Sequence, residues 1–201
     1  IKKNISKNFR YINGIVNNAY SGKTGPVNKS RKKDFENAMN INMYAPFRII
    51  LDLKQLMLKG ALISKDSSSI VNIGSMYGLV SSDRRIYKNK KNQNPIEYGA
   101  SKAALNQITK YLACNLSPEK IRVNSISLGP FPDKKVNLNL KKNIIKKVPL
   151  GRFGEAAEAA KPIAFLLSSE SSFINGSNLI VDGGWTSWWI IIGRFGAKII
   201  K

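Results

Sequence analysis

Tyrosine and lysine stand four residues apart in Tyr98-Gly99-Ala100-Ser101-Lys102. On a helix that spacing stacks them on one face, one turn above the other. An ammonium held there favours the phenolate, so a phenol of ordinary pKa about 10 becomes usable as an acid or base near neutrality. The same spacing recurs at Tyr87 and Lys91, and context separates the two. Asn94-Pro95-Ile96-Glu97 supplies an N-cap, a proline at the first helical position and a glutamate three after the cap, the pattern of a capping box. Ala104, Leu105, Ile108, Tyr111 and Leu112 then recur at threes and fours as an apolar stripe, and Tyr98 and Lys102 fall beside it. Tyr87 leads instead into the polar run 88–95, which reads as loop. Tyr98 is thus the candidate acid–base group, weighed against a packed helix tyrosine, and Tyr87 is read as a loop aromatic.

The rest of the composition narrows the chemistry. The 201 residues contain no histidine, which excludes Ser-His-Asp and Cys-His catalysis and removes imidazole as a metal ligand. One cysteine and twelve scattered acids argue against a protein-built transition-metal site. Acid–base work near neutral pH therefore falls to a perturbed Tyr, Lys, Asp or Glu. Cys114 lies within the helix expected around residue 100 and is read as a small buried hydrophobe. A single cysteine forms no internal disulfide, which fits a reducing, cytoplasmic setting. The longest wholly apolar runs, 163–167 and 188–192, fall far short of the roughly 20 residues that span a membrane, so no membrane partner is expected. Net charge is +21, but the lysines are dispersed along the chain without a zinc finger or an aromatic RNA-binding signature. They are read as a solvated basic surface with no specific nucleic-acid partner, and attraction of anionic substrates is a weaker reading.

Elements that would position these residues follow from periodicity. Short β-like runs are expected at 12–16, 69–73, 121–126 and 179–181, and helices over 34–59, with a kink at Pro46, from about 95 to 115, and over 155–168, where Pro162 must begin or kink the helix. Strands alternating with helices imply βαβ units and a parallel sheet covered on both faces. Ligands in such sheets sit beyond the carboxyl ends of strands. Asn17-Asn18, Ser75 and Gly129 all follow expected strand ends, so the candidate polar residues converge on one edge.

In this order the motifs resemble the short-chain dehydrogenase/reductase family. Asn17-Asn18-Ala19 is similar to its N-N-A-G, with Tyr20 in place of the glycine; Asn42 stands at the place of its helix asparagine. Ile70-Val71-Asn72-Ile73-Gly74-Ser75 resembles the strand that delivers its serine, and Tyr98 and Lys102 match Y-x-x-x-K. Arg122 to Pro130 resembles R-V-N-x-I-x-P-G, with Leu128 replacing the proline, and 175–184 resembles the family's C-terminal strand. The match runs from about Ile12 to Trp185. The resemblance implies an α/β, Rossmann-like, doubly wound parallel sheet in three α/β/α layers. The family's glycine-rich first turn is absent, so the chain, which opens on Ile1, is read as lacking the first two βα units. Residues 1–185 are expected to form the C-terminal part of one oxidoreductase domain, with 186–201 a tail of unknown role.

The resemblance also implies a function: hydride transfer between NAD or NADP and a small-molecule alcohol or carbonyl. Asn42, Ser75, Tyr98 and Lys102 would be catalytic: Tyr98 the proton donor or acceptor, Lys102 the group that lowers its pKa and binds the nicotinamide ribose, Ser75 a donor to the substrate oxygen, and Asn42 the holder of a water in a proton relay. Asn17, Ala19, Tyr98, Lys102, Gly129 and Phe131 would border the cofactor, with no metal, in a homodimer or homotetramer. Ser75 to Tyr98 spans about ten residues more than is usual in the family. With Tyr20, that loop resembles members associated with bacterial surface-sugar pathways, implying a sugar, sugar acid or sugar nucleotide as substrate. The alternative is a non-catalytic binding protein on the same scaffold that uses its basic surface.

Overall fold

The structure, a computed structural model, describes residues 2–131 and 138–188. Four parallel strands, β1 (Gly14–Asn17), β2 (Ser68–Ser75), β3 (Ile121–Leu128) and β4 (Asn178–Val181), form one sheet in the order β1-β2-β3-β4. The helices are α1 (Lys2–Asn8), α2 (Lys32–Met39), α3 (Ala45–Ser64), α4 (Ile96–Leu116), α5 (Leu138–Ile145) and α6 (Ala156–Leu167). Strand alternation divides the core between two faces. Ile70, Ile121 and Val123 pack against Ile50 and Met57 of α3 and Leu112 of α4. Val71, Ile73 and Ile126 turn the other way and pack against Leu166 of α6. The expected Rossmann-like sheet, covered on both faces, is therefore present.

Several local expectations are corrected. The capping box at Asn94 does not form: Pro95 is the N-cap of α4 and caps with no side chain. Glu97 sits too early in the helix to reach back, and its buried carboxylate accepts the Ser30 hydroxyl at 2.9 Å instead. Of the two alternatives at Pro162 the structure takes the internal one, because α6 starts seven residues earlier at the N-cap Glu155, which forms a reciprocal capping box with Glu158. Cys114 is exposed, and Tyr111 is 68% exposed. The buried face of α4 runs through Lys102, Leu105, Asn106, Thr109 and Ala113, which rotates both side chains outward. Thr186 donates to the Asp182 carboxylate from its backbone at 2.8 Å and its hydroxyl at 2.6 Å, while 189–201 lie outside the described residues.

The distortion expected at Pro46 falls one turn earlier. Residues Asn40–Tyr44 form a π turn between α2 and α3, with Pro46 in the first turn of α3. Proline has no N–H to give the carbonyl four residues before it, and here that carbonyl belongs to Asn42. The π turn is how the chain crosses this position, and such turns gather at functional sites.

Candidate active site

Three of the four strands end level, β2 at Ser75, β3 at Leu128 and β4 at Val181, while β1 stops three residues short, with Asn17 opposite Asn72. Over the end of β2 lies the first turn of α4, and two glycines bring it close. A Cβ on Gly99 would fall 2.8 Å from the Tyr77 carbonyl oxygen, and one on Gly78 would fall 2.9 Å from the Lys102 carbonyl carbon. The missing side chain at Gly99 is what allows the 76–78 turn to lie against the helix. In consequence the Ser75 hydroxyl lies near enough to the Tyr98 phenol to pull its pKa down, and the Tyr77 backbone N–H donates to Ser75 Oγ at 3.2 Å.

Lys102 stands one turn below Tyr98 and is 2% exposed. Its ammonium donates to the Ile73 carbonyl at 2.6 Å and lies 5.8 Å from the centroid of the Tyr98 ring. Burial lowers its pKa from 10.5 to about 8, because the charged form loses hydration. The expected depression of Tyr98 is not what this geometry yields. Burial pushes the phenol above its ordinary value; the Ser75 hydroxyl pulls it down less, and Tyr20 adds to the rise. The ammonium is committed to a backbone carbonyl rather than to the phenol, which is the physical reason for the difference.

Asn42 is fully buried. Its carboxamide donates to the Ser21 carbonyl and to Ser101 Oγ, both at 2.8 Å, and accepts from the Ser21 N–H at 2.6 Å. Ser101 in turn donates to the Tyr98 carbonyl at 2.8 Å. The side chain thus ties the loop after β1 to the first turn of α4. Asn17 is buried at the end of β1 and donates to Asn72 Oδ1 at 2.8 Å; Asn72 donates to Thr109 Oγ1 at 2.9 Å. Ala19 is exposed in the loop that follows. Gly129 and Phe131 lie toward β4. The Gly129 N–H donates to the Val181 carbonyl at 2.9 Å, and a Cβ on Gly154 would meet the Phe131 ring at 2.3 Å. Ser75, Tyr98 and Lys102 are thus brought together, Asn42 joins them through Ser101, and Gly129 and Phe131 engage the β4 side. Tyr87 is a loop aromatic whose phenol bonds that of Tyr77 at 3.1 Å.

Two residues touch the site in ways the sequence reading did not give them. Tyr20 stands edge-on to Tyr98, with centroids 6.1 Å apart and planes at 78°; its place beside the motif asparagines was the available signal. Asn106, one turn beyond Lys102 on the same stripe, is 9% exposed, and its amide has no hydrogen-bond partner. A polar residue four after a buried lysine was the only hint. Among the described residues no group of three or more His, Cys, Asp or Glu could hold a metal, and no helix is long and apolar enough to cross a membrane.

A buried ammonium with one protein acceptor has two N–H donors left, which suits the paired hydroxyls of a nicotinamide ribose. The nicotinamide half of a dinucleotide therefore fits the donor set. Among the described residues no glycine-rich strand-to-helix turn offers a cradle for its pyrophosphate.

The sequence model of the enoyl-(acyl carrier protein) reductase family matches residues 1–186. An uncharacterised short-chain type dehydrogenase/reductase of Sinorhizobium fredii is 34% identical over 91% of this chain and 32% of its own length. The human 3-oxoacyl-[acyl-carrier-protein] reductase is 34% identical over 90% of this chain and 69% of its own. A short-chain dehydrogenase of Leptospira borgpetersenii, solved with bound NAD+, superposes with a TM-score of 0.78 at 30% identity, covering 92% of this chain and 69% of that one. The chain thus spans about a third of the Sinorhizobium relative and roughly two thirds of the other two.

Proposed function

The chain belongs to the short-chain dehydrogenase/reductase family, and from that premise we propose that it carries the hydride-transfer site of an NAD(P)-dependent oxidoreductase. The observation that carries the reading is the buried Lys102 ammonium, 5.8 Å from the centroid of the Tyr98 ring and one turn beneath it, with Ser75 beside the phenol at the carboxyl end of β2. NAD or NADP, when bound, accepts or gives the hydride. In alcohol oxidation Tyr98, as phenolate, takes the hydroxyl proton while hydride leaves the same carbon; in carbonyl reduction the phenol returns that proton. Ser75 donates a hydrogen bond to the substrate oxygen and stabilises the charge that builds there.

Lys102 would hold the nicotinamide ribose hydroxyls with the N–H donors that the Ile73 carbonyl leaves. The positive charge of Lys102 would favour the phenolate form of Tyr98 during proton transfer. Behind it, the Asn42 carbonyl, which Pro46 cannot serve, holds the water that passes protons to Lys102, while the Asn42 carboxamide fixes the loop. Asn17, Ala19, Gly129 and Phe131 border the dinucleotide through their backbone, and the active assembly is a homodimer or homotetramer in the cytoplasm.

The substrate is a hydroxyl or carbonyl compound, with a sugar, sugar acid or sugar nucleotide favoured by the long 76–97 loop and by Tyr20. The binding-only alternative gives no reason to bury an ammonium beside a phenol. The test is incubation of the full-length protein with NAD+ or NADP+ and a panel of sugar and simple secondary alcohols, and with the reduced cofactors and ketones or 3-oxoacyl thioesters. Cofactor-dependent change in nicotinamide absorbance supports the reading; silence across the panel, with cofactor bound, would favour the binding alternative.

A further inference from the structure

The loop joining Ser75 to Tyr98 is fastened to the segment that follows β3. Asp83 is the centre of the attachment. Its carboxylate caps the short 3-10 turn Arg84–Ile86 by accepting from the Arg85 backbone N–H at 2.9 Å. It also receives the Arg85 guanidinium at 2.9 Å and pairs with the ammonium of Lys147, just past α5. Arg85 belongs to the same loop, so its bond stiffens the loop without joining it to anything; the Lys147 pair makes the join. One turn away, Asn143 of α5 donates to the Ile86 carbonyl at 2.9 Å. Lys147 is anchored from behind, its carbonyl accepting from the Trp188 indole at 2.6 Å.

Apolar packing supports the same junction. Met76 and Ile86 from the loop meet Val148 and Trp185, and Leu140 and Ile144 of α5 pack on them. Yet a cavity of about 190 Å³ remains between loop and helix, bordered by Tyr87, Asn89, Leu140 and Asn143. The interface is incompletely filled, so its geometry depends on its polar ties.

We propose that Asp83 is a positioning residue for substrate selection: by binding Lys147 it makes the Ser75–Tyr98 loop and α5 one wall, which limits how bulky a substrate can reach the two hydroxyls. The loop ends on Ser75 at one side and leads into Tyr98 at the other, so fixing the loop fixes the approach to both. The α5 segment packs through Leu140, Ile144 and Val148 on the cluster that holds Met76, the residue after Ser75, and so sits beside the end of β2. The selection role rests on the hydride-transfer reading; the clamp itself does not.

The pair is partly sheltered, its side chains 17% and 36% exposed, which sets its worth at up to about fivefold in an equilibrium. Asp83→Asn removes the charge but keeps a good cap for the turn, and Lys147→Met leaves the loop untouched. In the full-length protein both variants should speed backbone hydrogen exchange across 138–148 by about threefold to fivefold, and about 0.5 M salt should do the same to the wild type. With the preferred substrate KM should rise by a similar factor and kcat stay within about twofold, while bulkier analogues lose less or gain. Unchanged exchange in the two single variants would overturn the clamp. Faster exchange with KM unchanged for every substrate would overturn the selection role. Absence of turnover in the wild type would instead sink the hydride-transfer reading, and exchange would still decide the clamp.

Discussion

Replacing Lys102 by methionine should make the protein more stable near neutral pH while removing its chemistry. The side chain is 2% exposed, and burial takes its pKa from 10.5 to about 8. That difference corresponds to about 3 kcal/mol of penalty on the charged form. The bond to the Ile73 carbonyl returns about 1.5 kcal/mol, as hydrogen bonds from charged donors do, so Lys102→Met should gain about 1–2 kcal/mol at about pH 7. The pH dependence has a definite sign. Between about pH 8 and 10.5 the folded protein binds fewer protons at this site than the unfolded chain, so stability rises with pH there. The penalty is full below that window and gone above it. The advantage of the variant should therefore shrink, and reverse to the lost hydrogen bond, as pH rises from about 7 to about 10.5. Urea unfolding of both proteins, followed by tryptophan fluorescence at several pH values, reads the difference directly. A variant less stable than wild type at about pH 7, or a difference that does not change with pH, would refute the reasoning.

Arg122 is 5% exposed and donates to Ser67 Oγ, Ser171 Oγ and the carbonyls of Leu166, Ser168 and Ile174. Arg122→Met strands those acceptors and should cost about 3 kcal/mol or more in chemical denaturation. Asn106→Leu removes a buried amide that has no partner and should raise stability by about 1 kcal/mol; a lower melting temperature would mean the amide holds an ordered water. Weak duplex-DNA binding from the net charge of +21 should appear in fluorescence anisotropy at low salt and vanish at about 0.15 M. Submicromolar affinity for one nucleic acid at that salt would show a dedicated site.

The strands were legible because their apolar runs are short and bounded, and α4 because its stripe is long. What was not legible depends on rotation and register. Whether Tyr111 and Cys114 face the core turns on about 100° per residue, and a hydrophobic pattern shared with half-exposed neighbours does not settle it. Asn94 and Pro95 both read as helix starts, and only the extended backbone of Pro95, with ψ at 149°, decides between them. The choice of Tyr98 as the partner of Ser75 followed from helix logic, across a loop about ten residues longer than is usual in the family. What makes their meeting possible, the bare faces of Gly78 and Gly99, depends on a tertiary approach that no local pattern announces. The Asp83–Lys147 pair joins residues 64 apart, beyond the reach of any spacing rule.

Paired tyrosine substitutions in the full-length protein test the central claim most directly. Tyr98→Phe removes one hydroxyl and little volume, so the far-ultraviolet spectrum and NAD(P) binding should hold. Nicotinamide turnover should fall by about a thousandfold or more, as loss of a general acid–base group does. Tyr87→Phe, whose phenol meets only Tyr77 and Ser82, should leave turnover within about threefold. Activity surviving in Tyr98→Phe, or lost in Tyr87→Phe with the fold intact, would contradict the account.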